Sequence, residues 1–124
     1  MSDAISWNKQ NLISTENLSV TEINTIFSLA KAYKKATESG QSKFNVLEGK
    51  TVINLFLEPS TRTRLAFEIA CKRLSADSIT ISGGASSLSK GESLKDTAHN
   101  IVALGADIII MRHASSGSSE YLSR

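Results

Sequence analysis

Hydroxyl and guanidinium side chains are concentrated at residues 60–64 of this sequence, which are Ser60, Thr61, Arg62, Thr63 and Arg64. The segment lies between a mostly apolar run and the start of a helical pattern. A helix start leaves several backbone N–H groups without partners, and its dipole places about half a positive charge there. Because N–H groups, hydroxyls and guanidinium groups all donate hydrogen bonds to phosphate oxygens, this spacing predicts a phosphate site. Ordinary helix capping is the alternative interpretation, and for an isolated cluster of this kind it is the more common one.

A second polar segment, residues 83–90, is rich in glycine and serine. It contains Ser86 and Ser87 and ends in Lys90, which is the only charged residue of the stretch. By itself this composition is typical of a solvated loop, and that interpretation is favoured for the segment alone. The segment remains a candidate because it follows a predicted strand of a sheet, at the end where ligands bind.

Arg112 and His113 follow an uncharged apolar run at residues 108–111. An arginine at the end of a buried strand is better placed to meet an anion than an arginine on a helix face, so Arg112 is predicted to contact one. A loop histidine with satisfied hydrogen bonds is the preferred interpretation of His113 when it is considered alone.

Missing motifs argue against several other kinds of site. The sequence contains neither G-x-x-x-x-G-K-[ST] nor G-x-G-x-x-G, so nucleotide hydrolysis and dinucleotide binding lose their usual support. No spacing of Cys, His and Asp indicates a metal site. The single cysteine, Cys71, lies on the apolar stripe of a predicted helix and is interpreted as a core residue, not a nucleophile. A single cysteine also excludes an intrachain disulfide, which fits a reducing compartment.

An alternation of helices and strands is predicted to position these residues. Capping signals and apolar periodicity predict helices at about 20–39, at 61–74 and from Ser93 to a stop at Gly105. Apolar and β-branched runs predict strands at 51–57, 78–82 and 107–111, after an irregular lead-in over residues 1–17. Strands that alternate with helices form right-handed crossovers, so we predict an α/β fold with a parallel sheet and helices on both faces. The three polar segments would then share the carboxyl end of the sheet.

Length and composition restrict the class of protein. The chain has 124 residues, 40% hydrophobic and 21% charged, which predicts one globular domain and argues against disorder. The 14 Lys+Arg and 12 Asp+Glu residues leave a net charge of +2, so no basic footprint indicates a nucleic acid or an anionic membrane as partner. Without a secretory leader or a bilayer-spanning run, the predicted location is the cytoplasm. A sheet of three strands is small, and we expect the chain to be truncated.

Over nearly its whole length the chain resembles the N-terminal part of the aspartate carbamoyltransferases. The string Ser-Thr-Arg-Thr-Arg-x-x-Phe-Glu at residues 60–68 is similar to the motif of carbamoyltransferases in general. Lys90-Gly91-Glu92 and Met111-Arg112-His113 resemble the aspartate enzymes, because the ornithine enzymes usually have Arg before Gly-Glu and lack the His. Ala114 departs from the family pattern, which commonly has proline at that position.

The resemblance implies transfer of a carbamoyl group from carbamoyl phosphate to L-aspartate, which gives N-carbamoyl-L-aspartate and phosphate in de novo pyrimidine (UMP) biosynthesis. It implies no cofactor and no metal. Four residues would hold the phosphate: Ser60, Thr61, Arg62 and Thr63. Arg112 would bridge the phosphate and the carbonyl oxygen and Thr63 would donate to that oxygen, so these two are the implied catalytic residues. His113 would also contact carbamoyl phosphate.

The resemblance also implies contributions from outside this domain. Lys90 and either Ser86 or Ser87 would reach the aspartate-binding site of a neighbouring subunit in a homotrimer, and Glu58 would pair with a second domain on closure. Residues 1–124 would form an incomplete carbamoyl-phosphate-binding domain without the aspartate-binding domain, and would be inactive alone. Regulatory subunits or fused pyrimidine enzymes are further partners that the family allows. Two alternatives remain, an ornithine carbamoyltransferase and a non-catalytic phosphate-binding module.

Overall fold

A computed structural model describes residues 10–56, 60–82 and 94–112, and the chain forms two compact units, Met1–Ser42 and Lys43–Arg124. The first unit contains helix α1, Val20–Glu38. Its first turn has the predicted capping box: Ser19 Oγ accepts from the Glu22 N–H at 3.1 Å, and the Glu22 carboxylate accepts from the Ser19 N–H at 2.8 Å. The helix ends close to the predicted position, and Gly40 follows it with a φ of +104°, a conformation that favours glycine.

The lead-in to α1 is more regular than predicted. Thr15–Asn17 form a single 3-10 turn, and Ser14 Oγ caps it by accepting from the Glu16 N–H at 3.1 Å. The Leu18 N–H donates to the Thr15 carbonyl at 3.1 Å, which closes the turn directly before the Ser19 cap. Three residues are too few for apolar periodicity to detect, so a side-chain cap is the only local signal of such a turn.

The second unit is a parallel α/β arrangement, as predicted. Its elements follow in the order β1 (Thr51–Phe56), α2 (Thr61–Arg73), β2 (Asp77–Ser82), α3 (Leu94–Ala103) and β3 (Ile108–Arg112). The strands lie in the order β2-β1-β3, and β1 pairs in parallel with both neighbours. Residues 52–56 of the central strand are all buried, as expected for a strand covered on both faces.

The strand order requires the two crossovers to run in opposite directions. The connection through α2 places β2 on one side of β1, and the connection through α3 returns across β1 to place β3 on the other side. Because parallel crossovers are right-handed, α2 and α3 lie on opposite faces of the sheet. Phe67 of α2 is in ring contact with Phe56 at 6.2 Å between centroids, and Ala98 and Ile101 of α3 are buried.

The helical spacing of Ala66, Phe67, Ala70, Cys71 and Leu74 predicts a buried apolar stripe on α2, and this prediction is only partly correct. Cys71 is buried, but Ala66 and Ala70 are exposed and Phe67 is 39% exposed. The side chain of Glu68 instead points at the sheet, where it accepts a hydrogen bond from Thr80 of β2. The reason is that the sheet presents polar side chains to this helix, and a helical apolar pattern carries no information about them.

Hydrogen bonds from backbone N–H groups at the amino end of the sheet hold the strands in register. The Thr51 N–H donates to Asp107 Oδ2 at 2.9 Å, and the Asp107 N–H donates to the Thr51 carbonyl at 2.9 Å. On the other side, the Asp77 N–H donates to the Lys50 carbonyl at 2.9 Å. This register brings Arg112, the last residue of β3, beside Phe56, the last residue of β1.

Candidate anion-binding site

The turn that opens α2 leaves polar backbone groups available. Ser60 is the N-cap in an extended conformation (φ −163°, ψ 92°), but its side chain makes no capping hydrogen bond. The first helical hydrogen bond runs from the Arg64 N–H to the Ser60 carbonyl at 3.1 Å, so the N–H groups of residues 61–63 have no partner within the helix. The first turn of α2 therefore offers backbone N–H groups that can donate hydrogen bonds to a ligand.

The first turn of α2 itself contains no acidic residue. Glu22 lies in the first turn of α1 and Asp96 in that of α3, but α2 has no acidic residue in its first turn. A negative group near a helix start normally stabilises the helix through its dipole. Here two arginines, Arg62 and Arg64, occupy the position instead, which favours binding of an external anion.

Arg112 meets this turn from the neighbouring strand. Its Nη1 donates to Thr63 Oγ1 at 3.4 Å, although the two residues are 49 positions apart in the sequence. Alternate residues of paired parallel strands share a face, so Arg112 lies on the same face as Phe56, which α2 covers. The guanidinium of Arg112 and the start of α2 are thus on one side of the sheet, at its carboxyl end.

The predicted phosphate ligands differ in exposure. Thr61 and Arg62 are exposed, Ser60 and Thr63 are half-buried, and Arg112 is exposed at the end of its strand. An anion can therefore reach the hydroxyls and both guanidinium groups from solvent. Their roles in binding stay predictions. The other predicted site residues, Glu58, Ser86, Ser87, Lys90 and His113, lie outside the residues that the structure describes.

A network of polar side chains behind the start of α2, formed by Asn54, Thr80, Glu68 and Arg64, was not predicted. We call it the polar network. Asn54 Nδ2 donates to Thr80 Oγ1 at 3.5 Å, Thr80 Oγ1 donates to Glu68 Oε2 at 2.5 Å, and Glu68 Oε1 lies 3.6 Å from Arg64 Nη1. Two signals in the sequence point to it. An asparagine interrupts the apolar run of β1, and Glu68 follows Arg64 at the i,i+4 spacing of helical neighbours.

Cys71 lies next to this polar network and is a core residue, as predicted. It is 4% exposed, and burial raises the pKa of its thiol above the ordinary value of 9.0. The nearby Glu68 carboxylate raises that pKa further, whereas a hydrogen bond from Asn54 opposes the shift. The thiol therefore stays protonated near neutral pH, which does not suit a nucleophile.

The described residues contain neither a metal-binding cluster nor a membrane-spanning helix. No group of three or more His, Cys, Asp and Glu side chains in residues 10–56, 60–82 and 94–112 is placed to hold a metal ion. In the same part of the chain, no helix combines the length and apolar character that crossing a bilayer requires.

Comparison with known proteins identifies the family of this chain. The family model for the aspartate/ornithine carbamoyltransferase carbamoyl-P binding domain matches residues 10–124. The aspartate carbamoyltransferase catalytic subunit of Opitutus terrae is 53% identical over 118 residues, which are 95% of this chain and 38% of that protein. The chain therefore spans little more than a third of the length of this relative.

Solved structures agree with the sequence comparison. The catalytic subunit of M. jannaschii aspartate transcarbamoylase superposes with a TM-score of 0.83 at 40% identity, covering 93% of this chain and 37% of that one. Aspartate transcarbamoylase from Trypanosoma cruzi, in complex with carbamoyl aspartate and phosphate, gives 0.81 at 31% identity, covering 90% and 34%. With the sheet order, the turn at Ser60 and these matches in hand, we assign the chain to the aspartate/ornithine carbamoyltransferase family.

Proposed function

We propose that this chain is the carbamoyl-phosphate-binding part of an aspartate carbamoyltransferase catalytic subunit. Such an enzyme transfers the carbamoyl group of carbamoyl phosphate to L-aspartate and releases N-carbamoyl-L-aspartate and phosphate. The observation that carries the proposal is the hydrogen bond between Arg112 and Thr63, which joins the end of β3 to the uncapped start of α2. The family assignment and the names of the relatives support the choice of reaction.

The start of α2 would hold the phosphate group. Ser60, Thr61 and Thr63 offer hydroxyl groups, and the helix start adds backbone N–H groups and the positive end of its dipole. Arg62 is exposed beside them and offers a planar fork of donors that suits phosphate. No acidic side chain in that first turn repels the anion.

Arg112 and Thr63 would act on the carbonyl oxygen. In the reaction, the aspartate nitrogen forms a bond to the carbonyl carbon, the bond from that carbon to the phosphate oxygen breaks, and phosphate leaves with the bonding electrons. The nitrogen loses one proton in the process, and the departing phosphate takes up that proton. Negative charge grows on the carbonyl oxygen in the tetrahedral species, where donors already in place stabilise it. The amine must attack in its uncharged form and in a held geometry, so positioning supplies much of the remaining catalysis.

The remaining roles follow from the resemblance and are proposed with it. Lys90 and Ser86 or Ser87 would complete a neighbouring site in a homotrimer, Glu58 would pair with the aspartate-binding domain, and His113 would add a contact to carbamoyl phosphate. The relatives are about 2.6 times longer than the segment that this chain matches, which supports a second domain. We further propose that the enzyme serves pyrimidine synthesis in the cytoplasm and that regulatory subunits or fused pyrimidine enzymes are its candidate partners.

A substrate panel tests the proposed function. The whole catalytic subunit is incubated with carbamoyl phosphate and either L-aspartate or L-ornithine, and products are separated by mass. We expect N-carbamoyl-L-aspartate from the whole subunit and none from the 124-residue chain alone. Citrulline as the main product would identify an ornithine enzyme instead. Carbamoyl phosphate binding by calorimetry without transfer to either amine would identify a non-catalytic module.

A further inference from the structure

The carboxylate of Glu68 connects helix α2 to the sheet. Its Oε2 accepts a hydrogen bond from Thr80 Oγ1 at 2.5 Å, a length typical of a charge-assisted bond between a hydroxyl and a carboxylate. Its Oε1 lies 3.6 Å from Nη1 of Arg64, one turn earlier in the same helix. One half-buried side chain therefore joins the first turn of α2 to strand β2.

The connection continues into the central strand. Thr80 and Asn54 are direct partners in the register of β2 and β1, and Asn54 Nδ2 donates to Thr80 Oγ1 at 3.5 Å. Asn54 is 0% exposed, so this end of the polar network lies in the core. Asn54 also lies two residues before Phe56, which pairs with Arg112. The polar network thus begins beside the ends of β1 and β3, where the proposed anion site lies.

Helix stability alone does not explain the pair of Arg64 and Glu68. An i,i+4 pair stabilises a helix best when the acidic residue comes first, because its charge then complements the dipole. Here the order is reversed, and Arg64 stands at the positive end of α2. An arrangement that stabilises the isolated helix less than the opposite order would is understandable if the first turn must carry cationic side chains in a fixed orientation.

We propose that Glu68 is a positioning residue for the anion site. Through Thr80 it fixes the rotation of α2 against the sheet, and through Arg64 it fixes the first turn, so that the Thr63 hydroxyl stays within reach of Arg112. This inference rests on the proposed binding of carbamoyl phosphate. Misplacement of a binding group by about 1 Å can lower a rate by about 100-fold, so a connection of this kind has measurable consequences.

Variants of Thr80 test the proposal without changing any group that meets the anion. Thr80→Val keeps the shape of the side chain but removes the hydroxyl that Glu68 and Asn54 share, whereas Thr80→Ser keeps that hydroxyl. In the whole catalytic subunit at saturating aspartate, we expect Thr80→Val to lower kcat/KM for carbamoyl phosphate by about 10- to 100-fold. Thr80→Ser is expected to restore most of the loss.

Glu68→Gln provides a second variant that keeps an acceptor for Thr80 but removes the charge facing Arg64. We expect the Kd for inorganic phosphate, measured by calorimetry, to rise by about tenfold, since about 1.4 kcal/mol corresponds to that factor. Glu48→Gln is the matched control, because Glu48 is an exposed glutamate of the same unit outside the site. All kinetics are measured well below the Tm of every variant.

The outcomes separate this inference from the proposed function. If the wild-type subunit transfers carbamoyl groups and Thr80→Val and Glu68→Gln lower only the Tm, Glu68 is merely structural and the inference is wrong. If the wild type binds phosphate in a Glu68-dependent manner but transfers nothing to aspartate, the inference stands and the proposed function fails. A wild type that binds neither phosphate nor carbamoyl phosphate overturns both.

Discussion

Arg112 Nη1 donates to Thr63 Oγ1 at 3.4 Å, and this contact joins the last residue of β3 to the first turn of α2. A hydroxyl and a guanidinium both donate hydrogen bonds, and this contact brings the two side chains together at the carboxyl end of the sheet. An oxygen bound beside them would receive hydrogen bonds from two different elements, so its position would be determined in two directions.

Removal of the Thr63 hydroxyl is expected to affect catalysis more than folding. In the whole catalytic subunit, Thr63→Val should lower kcat by about 100-fold, the magnitude of losing one donor to a developing oxyanion. Thr63→Ser keeps the hydroxyl and should retain most of the activity. Steady-state kinetics on both variants provide the measurement, and equal activity of the Val and Ser variants would remove Thr63 from the reaction.

Arg62 is expected to be essential for turnover. Arg62→Ala removes an exposed guanidinium from the start of α2, and we expect turnover to fall by about 100-fold or more, as for loss of a preorganised donor. Arg73→Ala is the matched control, because Arg73 is an exposed arginine in the last turn of the same helix. If the turnover of the Arg62→Ala enzyme were within a few-fold of that of the control, Arg62 would lie outside the site.

Asp107 is expected to stabilise the fold by holding β3 in register with β1. Its Oδ2 accepts the Thr51 N–H at 2.9 Å, and Asp107→Ala removes that acceptor at the edge of the sheet. We expect the free energy of unfolding to fall by about 1 kcal/mol, measured by urea denaturation. Asp77→Ala is the control, since Asp77 is an exposed aspartate that opens the strand on the other side of β1. A loss equal in both variants would assign the effect to charge, not to the hydrogen bond.

Cys71 is expected to resist alkylation in the folded protein. Burial raises the pKa of its thiol above 9.0, so less thiolate is present at pH 8 and the sulfur is also shielded. We expect iodoacetamide to react more slowly by about tenfold or more with the folded chain than with the urea-unfolded chain. Equal rates in the two states would show that the thiol is accessible.

The same pKa shift predicts a pH dependence of stability. The unfolded chain loses the Cys71 proton first as the pH rises through about 9.0, because its thiol is solvated. The unfolded state then binds fewer protons than the folded state, so the free energy of unfolding declines between that pH and the higher pKa of the folded thiol. A Cys71→Ala variant should lose this component of the pH dependence in denaturation experiments.

Local signals in the sequence predicted most elements of the fold, whereas the anion-binding roles of the site residues stay predictions. The capping box of Ser19 and Glu22 and the apolar run of β1 depend on neighbouring residues, and both are present as predicted. The prediction of an apolar stripe on α2 was only partly correct, because the side chains of the sheet that face a helix depend on how the strands pair. The position of Glu68 over Thr80 depends on that pairing too, since the two side chains meet only after β2 has been placed beside β1.

The sheet order β2-β1-β3 also bears on how a ligand enters. Because α2 and α3 lie on opposite faces of the sheet, α3 is on the other face from the contact between Arg112 and the first turn of α2. Arg112 is exposed there, and the exposed Arg62 precedes Thr63 in the same turn. We therefore expect an anion to associate with these cationic side chains more slowly as the ionic strength rises, because salt screens the attraction between opposite charges.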